Sequence, residues 1–445
     1  MNAIIKPRRF NGTVRVPASK SHTIRQLLIA SLADGVSTIK NPLDSLDTRS
    51  CIEACKAFGA EIIEKSEELW EIKGNNGFKN KIKPGTVIDV GNSGTTLYLA
   101  LALAGLQSEE IRFVGDEQIQ KRSAAPLLDA LAGLGVLVKS NNGCAPITIK
   151  GPWNGGKVTL ICPTSQYLSA LLIASPLAPA GTVTEIDIPL LNEKPYVEMT
   201  LSYLKTSLMS NARFAFKAAL DYSHFFVLGG SQWKAFGDRV HSVPGDFSSA
   251  AFPAAAAAIT GGAVRLIGLN ALDTQGDKYF FEMLKSMGCD VYWQQTNNDD
   301  GKIEQALIVS GKGELKGGTF DLNNTPDLLP AAAVTAAFAN GDTSLVNVGH
   351  ARIKETDRIA VMAQELAKLG VSCTELPEGI IIHGKGAVSP PENTVIEGHG
   401  DHRIVMAFAA AALGSPVPLE ITTAESAAVT YPGFLDLISG DRLHL

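Results

Sequence analysis

Four short runs mix cations with small polar residues in a way that suits chemistry on anions: Ser19-Lys20-Ser21 with Arg25, Gly91-Asn92-Ser93-Gly94-Thr95, Lys354-Glu355-Thr356-Asp357-Arg358, and Gly400-Asp401-His402-Arg403. An arginine fork matches carboxylate and phosphate oxygens in pairs, and lysine adds a compact charge. Lys354 and Arg358 are spaced i, i+4, so a helix opened by that run would turn both toward one ligand and carry Glu355 beside them. Taken singly, each residue also has a plain structural explanation, such as a surface charge or an intrahelical Glu355–Arg358 ion pair.

The elements that must position these runs form a repeat. Six times, a turn of Ser, Thr, Asn, Asp or Gly leads directly into a small-residue, apolar run of helical spacing: Pro17 to Gly35, Gly91 to Gly105, Pro163 to Gly181, Pro244 to Gly261, Asn324 to Gly341 and Gly400 to Gly414. A polar residue before such a run is an N-cap, and Thr325-Pro326 adds proline at the first helical position. Helix starts expose amide donors at the positive end of the macrodipole, so the six starts are six potential anion-binding corners. Second helices fall between them at Thr48 to Phe58, Ala125 to Leu134, Val197 to Lys205, Tyr279 to Met287 and Ile359 to Leu369. The starts recur roughly every 70 to 80 residues, which suits a βαβαββ unit rather than a solenoid.

The 445 residues exceed what one core organises, so two domains are expected. A net charge of −6 argues against a nucleic-acid partner. The apolar runs Leu168 to Ala180 and Ala250 to Ile259 are short and broken by proline, which argues against a membrane span. No signal-like h-region follows the basic start, and a cytoplasmic protein is expected. The six cysteines lack CxxC pairing and read as reduced core thiols without a metal.

In order, the motifs resemble the enolpyruvyl transferases, most closely the branch acting on shikimate 3-phosphate, and the likeness spans essentially the whole chain; Lys194-Pro195-Tyr196 and Gly245-Asp246-Phe247-Ser248-Ser249 extend it. The resemblance implies an inverse α/β barrel of two domains with three repeats each, helix N-termini facing an interdomain cleft, and domain bounds of 18–243 and of 1–17 with 244–445. It implies transfer of the enolpyruvyl group of phosphoenolpyruvate to the 5-hydroxyl of shikimate 3-phosphate, with loss of phosphate, no cofactor, no metal, and a monomer as the working form. Carried over residue by residue, Lys20, Ser21, Arg25, Thr164, Ser165, Gln166, Asp327 and Lys354 would hold shikimate 3-phosphate. Lys20, Gly94, Arg122, Gln166, Arg358 and Arg403 would hold phosphoenolpyruvate, with Gly94 leaving room for the inhibitor glyphosate. Asp327, Glu355 and Lys20 would transfer protons, with the division of acid and base left open. Groups from both domains would complete the site on closure.

The chain departs from that pattern at Val429, where the family has a lysine, at Tyr98, where it has an arginine, and at Glu193, where it has a small residue and where a carboxylate would repel a phosphorylated substrate. Ser123 replaces a common proline. Two lost cations would weaken anion binding by a few kcal/mol, at about 1.5–3 kcal/mol per charge-assisted bond. The departures leave open a transferase with another acceptor or a non-catalytic anion-binding protein. The relative that acts on UDP-N-acetylglucosamine fits less well, because no cysteine lies between Cys55 and Cys144.

Overall fold

A computed structural model of the chain describes residues 1–78, 82–208, 216–236, 241–297 and 303–440. It divides into two compact units, a continuous one, Ser19–Val243, and a discontinuous one, Met1–Ala18 with Pro244–Leu445. The continuous unit holds α1 (Lys20–Leu32), α2 (Leu46–Ala57), α3 (Gly94–Ala104), α4 (Ala125–Gly133), α5 (Ser165–Ala174) and α6 (Lys194–Ser207). The discontinuous unit holds α7 (Phe247–Thr260), α8 (Tyr279–Ser286), α9 (Leu329–Ala337), α10 (Arg358–Lys368), α11 (His402–Gly414) and α12 (Phe434–Ser439). Among the described residues no helix is long and apolar enough to cross a membrane.

One chain path recurs. Thr86–Asp89 crosses through α3 to its parallel neighbour Ile111–Val114, and after α4 the hairpin Leu137–Asn141/Cys144–Lys150 adds on antiparallel. The sheet order is first, second, fourth, third, and the strands around α5 and α6 repeat it. Strands that run parallel need a crossover and antiparallel neighbours only a tight turn, which is why both helices precede the closing hairpin of the repeat.

The opening repeats borrow strands from elsewhere in the chain. Val36–Lys40 takes its parallel partner from His241–Ser242, and Ala263–Ile267 takes its own from Asn11–Arg15. Ala3–Ile5 closes the last sheet antiparallel to Leu419–Ile421.

The leading helix of each repeat lies in the middle of its unit. Every residue of α7 from Phe247 to Ala258 is buried, and so is α11 from His402 to Leu413. A helix without a polar stripe has no face to give to water and must be enclosed. Accordingly α7, α9 and α11 pack on one another, and α3 packs on α1 and α5.

Four leading helices are capped as the sequence predicts: Asp246 accepts from Ser248 N at 2.8 Å, Asp401 from Arg403 N at 2.9 Å, Ser93 from Thr96 N at 3.3 Å and, more weakly, Thr164 from Gln166 N at 3.5 Å. Ser19 and Thr325 do not cap, and their buried hydroxyl oxygens have no hydrogen-bond partner among the described residues. Pro326 opens a 3-10 turn, Pro326–Leu328, rather than the helix itself. Pro330 then takes the first turn of α9, where its missing N–H is no loss.

Candidate active site

In the discontinuous unit the chemistry gathers on Arg358, the first residue of α10, which is fully buried. Its guanidinium donates through Nη1 to Asp327 Oδ1 at 2.8 Å, through Nε to Asp401 Oδ2 at 2.8 Å, and through Nη2 to Asp401 Oδ1 at 3.1 Å and Glu355 Oε2 at 2.5 Å. Arg403, in the first turn of α11, donates to Asp327 Oδ2 at 2.9 Å and to the Ser248 hydroxyl in the first turn of α7. The starts of α7, α10 and α11 and the turn into α9 therefore meet at one place. This is the pooling of helix N-termini that suits anions.

The predicted helix over Lys354–Arg358 is absent. Asp357 takes the N-cap position, accepts from Ala360 N at 3.1 Å, and is held by Arg352 at 2.8 Å. A cap residue has non-helical dihedrals, so α10 starts only at Arg358, and Lys354, with φ −87° and ψ −147°, lies outside it. The turn before α10, not a shared helix face, brings Glu355 onto Arg358.

Charge balance sets the protonation states. Burial would raise Asp327, but Arg403, Lys354 and Arg358 outweigh it and hold the carboxyl well below its ordinary range. Burial opposes the charge on Arg358 too, and Asp401, Glu355 and Asp327 reverse that and hold it firmly protonated. Asp401 is likewise held low, burial being outweighed chiefly by Arg358. A third carboxyl, Asp277, is fully buried and pushed up to about 7 by burial and then by Asp327, with Arg403 pulling the other way.

In the continuous unit, Lys20 opens α1 and its Nζ sits 2.9 Å from Asp47 Oδ2 in the first turn of α2. Ser21 follows it, half-buried, and accepts from Arg25 Nη1 through its carbonyl at 3.0 Å. Arg25 is buried, bonded also to Thr200 Oγ1 at 2.9 Å and Ser169 Oγ at 3.3 Å, and burial lowers it to about 10, leaving it charged at neutral pH. Arg122 Nη2 donates to Asn92 Oδ1 at 3.0 Å, which sets the guanidinium beside Gly94 at the start of α3. At the start of α5, Gln166 Nε2 donates to Thr164 Oγ1 at 3.0 Å.

The residues that break the family pattern have partners or shelter of their own. Tyr98 is buried with its ring edge-to-face on Tyr167, centroids 5.0 Å apart, and the Tyr167 hydroxyl donates to the Ser123 carbonyl at 2.5 Å. Val429 is half-buried at the end of the 3-10 turn Ala424–Val429. Glu193 is buried and accepts from Thr164 Oγ1.

Sequence reasoning named the cations together with Asp327 and Glu355, which hold two of them, and missed other residues that do so. Asp401 was visible as a cap inside a motif, but its grip on Arg358 spans 43 positions. Ser248 stands inside one of the motifs without a role, and nothing local marks Asp47 or the buried Asp277.

The EPSP synthase family, described as EPSP synthase (3-phosphoshikimate 1-carboxyvinyltransferase), matches residues 4–438. A 3-phosphoshikimate 1-carboxyvinyltransferase of Acetivibrio thermocellus is 42% identical over 437 residues, covering 98% of this chain and 97% of its own. One from Halobacterium salinarum is 36% identical over 446 residues, covering 99% and 98%. A solved EPSP synthase from Acinetobacter baumannii superposes with a TM-score of 0.78 at 27% identity, covering 100% of this chain and 98% of that one. With the profile matching nearly end to end and relatives above a third identical along their whole length, the chain belongs to the EPSP synthase family of enolpyruvyl transferases.

Proposed function

We propose that this protein transfers the enolpyruvyl group of phosphoenolpyruvate to the 5-hydroxyl of shikimate 3-phosphate and releases inorganic phosphate. The hydroxyl oxygen bonds to C2 of phosphoenolpyruvate while the methylene carbon takes a proton. The tetrahedral intermediate then loses that proton from the methyl carbon, and the C2–O bond to phosphate breaks. The observation that carries the reading is the network of two buried arginines, Arg358 and Arg403, whose forks are aimed by Asp327, Glu355 and Asp401. Such forks bind a carboxylate or phosphate bidentately with two proton-transfer carboxyls in reach.

In this reading Arg358, Arg403, Arg122, Lys20, Gln166 and Gly94 serve phosphoenolpyruvate, the missing side chain at Gly94 letting the Arg122 guanidinium lie against the start of α3. Ser21, Arg25, Thr164, Ser165, Gln166, Asp327, Lys354 and Lys20 serve the acceptor. Asp327, held ionised by its cations, accepts the proton of the 5-hydroxyl. Glu355, on the far side of the Arg358 fork, exchanges the proton with the methylene carbon, and Lys20 offsets the charge that develops. The roles are divided between the two units, the protein works as a monomer in the cytoplasm, and no cofactor or metal enters any step.

The test is phosphate release from phosphoenolpyruvate in the presence of shikimate 3-phosphate. Turnover is expected in the native chain and a fall of about a hundredfold or more in Glu355→Ala, the range that a positioned proton donor contributes. A folded protein with no turnover would sink the assignment in favour of another acceptor or a binding role.

A further inference from the structure

The start of α5 already holds an anion, and that anion belongs to the chain. Thr164 Oγ1 donates at 2.9 Å, Ser165 N at 3.0 Å and Ser165 Oγ at 3.0 Å, all three to the single oxygen Oε2 of Glu193. Two hydroxyls and an amide converging at the positive end of a helix make an oxyanion site. Glu193 is 3% exposed and has φ 59° and ψ 39°, the left-handed region a residue with a side chain seldom enters. It immediately precedes α6 and stands where it could cap that helix, yet it makes no such bond and reaches across to α5. Buried Arg25 faces it electrostatically and reinforces the site.

We propose that Glu193 is an internal stand-in for the phosphate of the acceptor, and that it sets the affinity and selectivity of this protein for phosphorylated acceptors. The inference rests on the assignment of Thr164 and Ser165 to the acceptor's phosphate made above. A carboxylate and a phosphate cannot share one set of donors, because like charges at contact distance repel and the displaced carboxylate loses all three bonds. The 3-phosphate therefore lands on Thr164 and Ser165 only when Glu193 swings away. Every phosphorylated acceptor bears that displacement, while an acceptor with a free 3-hydroxyl does not, so discrimination in favour of the phosphate is narrowed.

The experiment uses the full chain with Glu193→Ser, which frees the donors, and Glu193→Gln, which keeps the side chain's size and an acceptor oxygen but drops the charge. Thermal unfolding is followed against inorganic phosphate. Glu193→Ser is expected to melt below the native chain without phosphate and to bind inorganic phosphate at least about tenfold more tightly, which is about 1.4 kcal/mol. Glu193→Gln should fall between the two, and it carries the test alone if the serine variant does not fold. In steady state, KM for shikimate 3-phosphate should fall by a similar factor in Glu193→Ser without a matching fall for phosphoenolpyruvate. Equal phosphate affinity in all three proteins overturns the proposal and leaves Glu193 a structural tie between the starts of α5 and α6. The phosphate titration needs no turnover, so a protein that titrates as expected but is inactive overturns the enzymatic reading and not this one.

Discussion

A Cβ built on Gly94 stands 3.0 Å from Nη1 of Arg122 and 3.5 Å from Cε2 of Tyr98. That contact is tight but not impossible, because the guanidinium is the end of a flexible side chain and can retreat by a few tenths of an ångström. Gly94→Ala should accordingly fold normally and raise KM for phosphoenolpyruvate on the order of tenfold, the effect of loosening one charge-assisted bond. Initial rates with phosphoenolpyruvate varied at saturating shikimate 3-phosphate would show it, and an unchanged KM would detach Arg122 from that ligand. Residues of this kind could be named as candidates from the sequence because they stand in short motifs that recur in a recognisable order, whereas a single arginine or lysine reads as a surface charge. Their counter-charges were legible only at Glu355, three positions from Arg358. Asp47 on Lys20 and Asp401 on Arg358 become partners only through tertiary packing, and Glu193, expected only to repel a phosphate, accepts three hydrogen bonds at the start of α5.

At the scale of elements, the short turn Gly276–Lys278 leading into α8 carries Asp277 into the interior behind Asp327 and Arg403. Its folded value of about 7 lies above the ordinary 3.8, so between those values the native protein holds a proton that the unfolded chain has released. The stability from this group is full below about pH 4 and is lost as pH rises through about 7. Denaturant midpoints should therefore decline across that window in the native chain and decline less in Asp277→Asn; parallel curves would place the titration elsewhere. Helix starts were readable where the cap is local, as at Asp246 and Asp401, since one side chain and one amide two or three positions on settle the matter. The reading failed at Lys354–Arg358 because Arg352 pins Asp357 as the cap, a contact that helical periodicity does not encode.

At the scale of the molecule, the repeat of βαβαββ units was legible from the recurring helix starts, whereas the exchange of strands between the chain's ends and its middle was not, since Ala3–Ile5 and Asn11–Arg15 carry no mark of their distant partners. Deleting residues 2–15 removes strands from two sheets of the discontinuous unit and none from the continuous one. Calorimetry of the truncated chain should show a lowered or missing transition for the first and a retained transition for the second. A single transition lowered as a whole would mean the two units unfold as one. The same strand exchange gives the protein a schedule. Translation proceeds at about 5–20 residues per second, and a domain completes as soon as its last strand emerges. The continuous unit can therefore close once Ser242 has left the ribosome, while the opening strand Ala3–Ile5 must wait, its backbone unpaired, until Leu419–Ile421 is made. From the completion of that unit until Leu419–Ile421 emerges, the nascent chain carries a loose β-strand ahead of a finished globule, and that end of the molecule is where a chaperone or a fused tag acts on folding first.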